Sequence, residues 1–327
     1  MRYLTGTLLL MSCAASLALP ATAAGLSDPQ QLQLKKLSQA TQTDYSQLQQ
    51  AIKLAQKDDA VITAITKPWE AKPWYQYQGL FIQPKRIQQG VEFWKQHHQA
   101  LMQAEKTYQV PAQIIVAIIG VETFYGRFKG NYPVLDSLYT LGFHYPPRGA
   151  FFQKEFAAFV RLSHQQNWQL RDIKGSYAGA MGFGQFIPSS YLHYAVDFNH
   201  DGHINMLTDP EDAIGSVANY FHQHGWIFGQ PVATAQTASN PAVLKMANRE
   251  LKTRYSWQQL ATAGAMTTDT IAPQTSVNLL SLQTEKQQSK TWVTFDNFYV
   301  ITRYNHSPLY AMAVYQLSQQ IKNAYQP

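Results

Sequence analysis

Residues 114–130, IIVAIIGVETFYGRFKG, restrict the fold more than any other stretch of the chain. Eight residues of aliphatic side chain and glycine lead to a single carboxylate, Glu122. Pro111 suits the first turn of a helix, where its missing N–H costs nothing. In a helix starting there, Ile115, Ile118 and Ile119 lie seven, four and three residues before Glu122 and share its face. That face has to pack, so the carboxyl is desolvated on its apolar side. Burial raises a carboxyl pKa because it disfavours the charged form. A rise of about two pH units keeps the group protonated near neutrality, at a cost of roughly 2.7 kcal/mol. Such a cost suits a proton donor. The competing reading is a glutamate at the helix end, turned to solvent or paired with Arg127.

The chain has 327 residues, room for one large domain or two modest ones. Charged residues make up 14% and aromatics 13%, a balance that suits a globular protein with a polar, aromatic-lined groove. The net charge of +6 is spread without a long basic run, so nucleic acid is not an expected partner. A weakly basic surface also suits an anionic polymer such as peptidoglycan. At the start, Arg2 precedes the apolar YLTGTLLLMSCAASLAL, then Pro20 and ATAAG. This reads as a signal peptide over residues 1–24, cleaved after Ala23 or Ala24, and hence as export to the periplasm. LMSC also permits an outer-membrane lipoprotein through Cys13. Against that, the apolar stretch before Cys13 is short and more apolar sequence follows it. Cys13 is the only cysteine, so the mature chain has no disulfide, thiol chemistry or cysteine metal site.

Residues 26–66 have helical spacing and suggest two short helices. The stretch 67–83, with two prolines and several aromatics, suggests an extended segment, and 84–108 one long amphipathic helix. A loop-rich region through 192 contains a helix near 151–165; further helices are expected over 210–226 and 308–324. Between 230 and 294, runs such as TSVNLLSL and TWVTF suggest strands. The expected class is therefore mainly α (α+β). It comprises an α part at about 25–108, a core at about 109–229 and 295–327, and a β-containing insertion at about 230–294.

Residues 175–191, GSYAGAMGFGQFIPSSY, combine glycines that admit close backbone approach with Ser176, Tyr177, Gln185 and Tyr191 as polar groups. The stretch lacks the spacing of a phosphate loop. Taken alone it reads as a tight structural turn. GVETFYGR followed by this segment, then by DFNHDGHINMLTDPEDAIGSVANYFHQHGW and FYVITRYNHSPLYA, resembles the lytic transglycosylase B family of lytic murein transglycosylases. The resemblance covers nearly all of the mature chain.

The resemblance implies a lysozyme-like helical core and cleavage of the MurNAc–GlcNAc β-1,4 bond of peptidoglycan glycan strands, with 1,6-anhydro-MurNAc as product. It puts Glu122 in the place of the sole catalytic acid/base. Ser176, Gln185, Tyr220, Tyr304, Asn305 and Tyr310 match residues lining the glycan site, with Arg148, Phe124 and Tyr125 as weaker matches. For Tyr310, a role in holding the core is nearly as good a reading. Tyr304 and Asn305 fall at the family's substrate-binding strand end. Cell-wall synthesis or remodelling proteins are partners compatible with this activity.

One acid suffices for such a reaction, whereas ordinary glycosidases need two carboxyls; Asp136 and Glu155 lie outside the matching motifs. The rival activities are a muramidase hydrolysing the same bond and a scaffold without catalysis.

The segment DFNHDGHINMLTDPED also follows the opening half of an EF-hand loop. Asp197, Asn199 and Asp201 alternate as oxygen ligands, Gly202 allows the turn, and His203 offers its carbonyl. Thr208 stands where a bidentate glutamate belongs. In the resembling family a later carboxylate closes the site, and Asp212 matches it better than Glu211. The segment is one residue longer than the family pattern. These features imply a structural Ca2+ and no catalytic cofactor; the competing reading is a metal-free Asx turn capping the next helix.

Overall fold

The apolar stretch before Glu122 forms a helix at the centre of the molecule. The computed structural model describes residues 27–67, 72–237, 241–247 and 250–326. The expected signal peptide, with Cys13, lies outside these residues. Six helices precede the central one: α1 (Asp28–Thr41), α2 (Tyr45–Leu54), α3 (Asp59–Ile65), α4 (Trp74–Phe81), α5 (Pro84–Gln96) and α6 (His98–Tyr108). The central helix is α7 (Ala112–Thr123), preceded by Pro111 as its N-cap. Ile115, Ile118 and Ile119 have no exposed surface, and every other residue of α7 except Gln113 and Glu122 is buried too. A helix apolar on every face belongs inside a fold. Here α5, α6, a later helix α11 (Pro210–Gln223) and the last helix α15 (Pro308–Ala324) surround it.

Between them run β1 (Tyr132–Pro133), α8 (Val134–His144), α9 (Gly149–Gln165), β2 (Lys174–Gly175) and α10 (Pro188–Tyr194). The pair α8–α9 packs together, with α1 and α2 against α9 and α3 against α8. Beyond α11 come β3 (Ala233–Ala235), α12 (Pro241–Leu244), β4 (Tyr255–Ser256), α13 (Trp257–Thr262), β5 (Ser276–Gln283), β6 (Ser289–Thr294) and α14 (Asp296–Tyr304). The four strands β3 to β6 form an antiparallel sheet in the order β3-β6-β5-β4. The β5–β6 hairpin runs from Asn278 opposite Thr294 to Gln283 opposite Ser289. The observed class is the expected one, mainly α with a small β part near the carboxyl end.

Four local expectations change. Where the sequence suggests two helices over 26–66, the described residues 27–66 form three, because Asp44 and Asp58 accept hydrogen bonds from Gln47 and Ala60 N–H and start new ones. The stretch 67–83 contains α4 rather than extended chain throughout. Trp74 and Tyr77, three residues apart, bury one face of that turn, and this outweighs the prolines before it. The long helix 84–108 is two, broken at His97 (φ −112°, ψ 29°), whose ring packs on Phe93. Residues 296–304 are helical, so Tyr304 ends a helix, not a strand, and Asn305 follows it as the C-cap. Buried Asn297, Phe298 and Ile301 recur at helical spacing, and their packing overrides the β propensity of FYVIT. Sequence periodicity also missed α8 and α10 in the loop-rich region.

Candidate active site

Helix α7 ends one residue past Glu122. Phe124, Tyr125 and Gly126 then take left-handed conformations (φ 52°, 61° and 85°), which swing the chain away and leave the acid on the last turn. The Phe124 N–H donates to Gly120 O at 3.1 Å. Gly120 is needed for this turn, because a Cβ there would sit 2.6 Å from the Tyr125 hydroxyl. That hydroxyl donates to Arg86 O at 2.8 Å. The Thr123 hydroxyl lies 2.9 Å from Phe183 O and accepts from the Gly126 N–H at 2.9 Å. The end of α7 is thereby tied to the glycine-rich segment.

The Glu122 carboxyl is half-buried and accepts a hydrogen bond from the Tyr310 hydroxyl of α15 at 2.5 Å. Desolvation pushes its pKa up to about 7, although the Tyr310 bond pulls the other way. Burial, reinforced by the nearby Glu122 charge, holds the phenols of Tyr310 and Tyr304 well above their usual range, so both remain donors. Arg127 does not pair with Glu122. It is exposed, its guanidinium lies 6.0 Å from the Phe124 ring centre, and it faces the Gln89 amide. Of the two readings of this acid, the geometry matches the buried one.

Residues 181–186 make a tight hairpin in which Met181 and Phe186 exchange both backbone hydrogen bonds. Gly182 (φ 72°) and Gln185 (φ 50°) supply the left-handed corners, and the Phe183 N–H donates to Met206 O at 3.1 Å. The Gln185 amide is held by Lys129 O and Gly182 O. The Tyr304 hydroxyl donates to Gly184 O, and its ring lies parallel to Tyr310 at 6.5 Å. Tyr220 meets Tyr304 edge-on at 4.8 Å and donates to Arg303 O at 2.6 Å.

Arg148, Gln185, Tyr220, Tyr304 and Asn305 thus line one groove of about 590 Å³. Tyr304 joins that groove to the Tyr310–Glu122 pair. Ser176 does not line it; its Oγ accepts from the Ala178 and Ala180 N–H groups within its own turn. Sequence reasoning missed Phe186, whose ring packs on both Tyr220 and Tyr304, and Arg303 and His306 on the groove wall. A stray aromatic or cation carries no periodic signal, so nothing short of the packing reveals them.

The other buried carboxylates are occupied. Asp136 pairs with Arg171 at 3.0 Å and accepts from the Gln56 N–H. Glu155 accepts from the Ser189 N–H and hydroxyl at 3.0 and 2.7 Å. Each holds two elements together, and neither lines the groove.

The acidic loop before α11 is built on its own oxygens. Asp197 Oδ1 and Asn199 Oδ1 both accept from the Asp201 N–H, and Asp197 Oδ2 accepts from Gly202, whose φ is 89°. Asp201 Oδ1 accepts from the His203 N–H. Asp212 is fully buried behind the loop, one oxygen on the Phe198 N–H at 2.7 Å and the other on Asn205 at 2.6 Å. Asp209 caps α11 and also accepts from the Asn199 amide at 2.8 Å, a contact the sequence did not suggest. Glu211 is exposed. Among the described residues no three His, Cys, Asp or Glu side chains are grouped to hold a metal. The loop also offers the Asn199 amide oxygen and the His203 carbonyl, and an oxygen-only donor set of this kind fits a hard cation.

A family model described as transglycosylase SLT domain matches residues 27–319. The membrane-bound lytic murein transglycosylase B of Escherichia coli (strain K12) is 44% identical over 288 residues, covering 85% of this chain and 78% of that one. The soluble lytic transglycosylase SltB1 from Pseudomonas aeruginosa superposes with a TM-score of 0.84 at 44% identity, covering 90% of this chain and 99% of that chain. The Escherichia coli lytic transglycosylase Slt35 in complex with calcium gives a TM-score of 0.81 at 43% identity, covering 90% and 93%. The family match and these likenesses agree: the chain belongs to the SLT-domain family of lytic transglycosylases.

Proposed function

We propose that this transglycosylase cleaves the MurNAc–GlcNAc β-1,4 bond of peptidoglycan and closes 1,6-anhydro-MurNAc, with Glu122 as its only acid/base. The observation that carries the reading is one carboxyl, its pKa pushed up to about 7, beside a polar aromatic groove that no Asp or Glu lines among the described residues. Protonated Glu122 donates to the GlcNAc oxygen as the C1–O bond breaks, and the MurNAc acetamido group steadies the cationic C1. The carboxylate then takes the proton of the MurNAc 6-hydroxyl as O6 bonds to C1. Protons balance and no water enters. Tyr310 keeps the carboxyl oriented. Gln185, Tyr220, Tyr304, Asn305 and Arg148 bind the glycan, and Ser176 supports the loop that presents Gln185. The test is the chemistry of the sugar ends released from purified sacculi.

The acid works only while protonated, which sets the pH dependence. With Glu122 titrating near 7, kcat/KM falls about tenfold per pH unit above that value. Tyr310→Phe removes a bond that favours the carboxylate and shifts this limb to higher pH. Rates on soluble glycan strands across neutrality check both. A flat profile through pH 7 would take Glu122 out of the acid role.

The relative's description as membrane-bound supports action at the cell envelope, and we read the chain as exported to the periplasm. Among the described residues no helix is long and apolar enough to cross a membrane. The separate apolar cluster of Val243, Leu260, Val277, Leu279 and Val293 supports reading 230–294 as an insertion into the core.

We also assign the acidic loop to one structural Ca2+. Asp197, Asn199, Asp201 and the His203 carbonyl are its ligands, and Asp212 is the closing carboxylate. At about a hundredfold excess over its dissociation constant, calcium stabilises the folded state by about 2.7 kcal/mol, read as a higher melting temperature. Asp201→Ala removes that gain. Identical melting curves in calcium and in chelator would leave the loop a metal-free turn.

A further inference from the structure

The turn that carries Tyr304 and Asn305 has a second side. His306 lines the glycan groove and also a separate cleft of about 600 Å³. Ser307, Pro308 and Leu309 form one wall of that cleft, and Lys72, Pro73 and Trp74 another. Its floor is Leu280, Ser281, Leu282 and Gln283 of β5. Side chains alternate between the faces of a strand, so four consecutive lining residues mean that β5 presents its edge.

The register fixes which groups point outward. The Phe295 N–H donates to Val232 O and the Gln236 N–H to Thr291 O, so the odd residues of β6 bond to β3. The even ones therefore face β5, opposite Asn278, Leu280 and Leu282. Leu279, Ser281 and Gln283 turn their N–H and C=O the other way. The strand on that side, β4, covers β5 only at Ser276 and Val277. Among the described residues no backbone hydrogen bond reaches the outward groups of Ser281 and Gln283. An open strand edge in a cleft is a template for an extended peptide.

We propose that this edge binds the short peptide carried by MurNAc, adding it as an antiparallel or parallel strand beside Ser281 and Gln283. The assignment rests on the glycan reading of the groove. Continuity through His306 puts the cleft next to the sugar site, and a chain branching from a bound MurNAc can enter it without leaving the surface. The cleft's volume lies within the ordinary range of small-ligand sites.

Two measurements test this. Ser281→Pro deletes one outward N–H, and proline is tolerated where a strand N–H faces away from its sheet. The variant should raise KM for peptide-bearing strands about tenfold, the loss of an edge hydrogen bond and its fit. KM for the same strands stripped of peptide by an amidase should not change. Equal effects on both substrates would overturn the proposal while leaving the glycan reading intact. Hydrogen exchange in Glu122→Gln needs no strand variant. A peptide-bearing disaccharide should slow exchange at the Ser281 and Gln283 amides, and the naked disaccharide should slow only groove amides. Groove protection without edge protection rejects the peptide site alone. No protection anywhere from either sugar rejects the groove reading and the peptide site with it.

Discussion

Glu122→Gln lowers the clearance of purified sacculi by at least about a hundredfold, the usual contribution of a positioned acid–base group. Glutamine keeps the volume and can accept the Tyr310 hydrogen bond, but it cannot give up and retake a proton. The same change should stabilise the protein at alkaline pH. In the folded state the carboxyl titrates near 7 because it is desolvated, against 4.5 when it is free. A raised carboxyl pKa contributes stability that is complete below pH 4.5 and lost as pH rises through 7. Above that, the wild type bears a burden of up to about 3 kcal/mol that the glutamine variant lacks. The variant therefore melts higher than wild type at pH 8, and the order reverses or vanishes in acid. Loss of activity together with a lower melting temperature at pH 8 would mark Glu122 as a structural residue instead.

Gly182→Ala has the second largest expected effect. Gly182 sits at φ 72° in the hairpin that presents Gln185, and a Cβ there would come within 2.4 Å of Met206 O. An L side chain in a left-handed conformation costs about 1–2 kcal/mol by itself. The clash is with backbone, so the Phe183–Met206 hydrogen bond must also move. Together these give a loss of about 3 kcal/mol, among the larger effects of single substitutions. Gly229→Ala is the control, because its φ is 77° but nothing lies within 4 Å of an added Cβ. It should lose only the conformational part. Urea unfolding separates the two, and equal losses would mean that the contact between the hairpin and residue 206 does not matter. Displacing Gln185 and Gly184, the latter bonded to Tyr304, should also lower glycan cleavage by Gly182→Ala about tenfold.

What can be read from the sequence is local. An apolar run before one carboxylate predicts a buried helix with an acid at its end, and α7 is that helix. The helices that open on Pro210 and Pro308 are legible for the same reason, since a proline in the first turn is recognised from its neighbours in sequence alone. The partner of Glu122 is not legible. Tyr310 lies 188 residues away, and only the packing of α15 on α7 joins them. The resemblance marks Tyr310 as a site residue without revealing that it holds the acid. Ser176 goes the other way, since its hydroxyl serves its own turn. The strand end that the resemblance implies at Tyr304 and Asn305 is a helix end, because Phe298 and Ile301 enter the core at helical spacing. The edge of β5 cannot be read at all, since register decides which backbone groups stay open.

In the proposed reaction one carboxyl both gives and retrieves the proton, so that no water enters the product. Mass spectrometry of the muropeptides released from purified sacculi reads this directly. The expected fragments end in 1,6-anhydro-MurNAc, each one water lighter than the hydrolysed counterpart and inert to borohydride. Fragments that end predominantly in reducing MurNAc would contradict that reaction and make the enzyme a hydrolase.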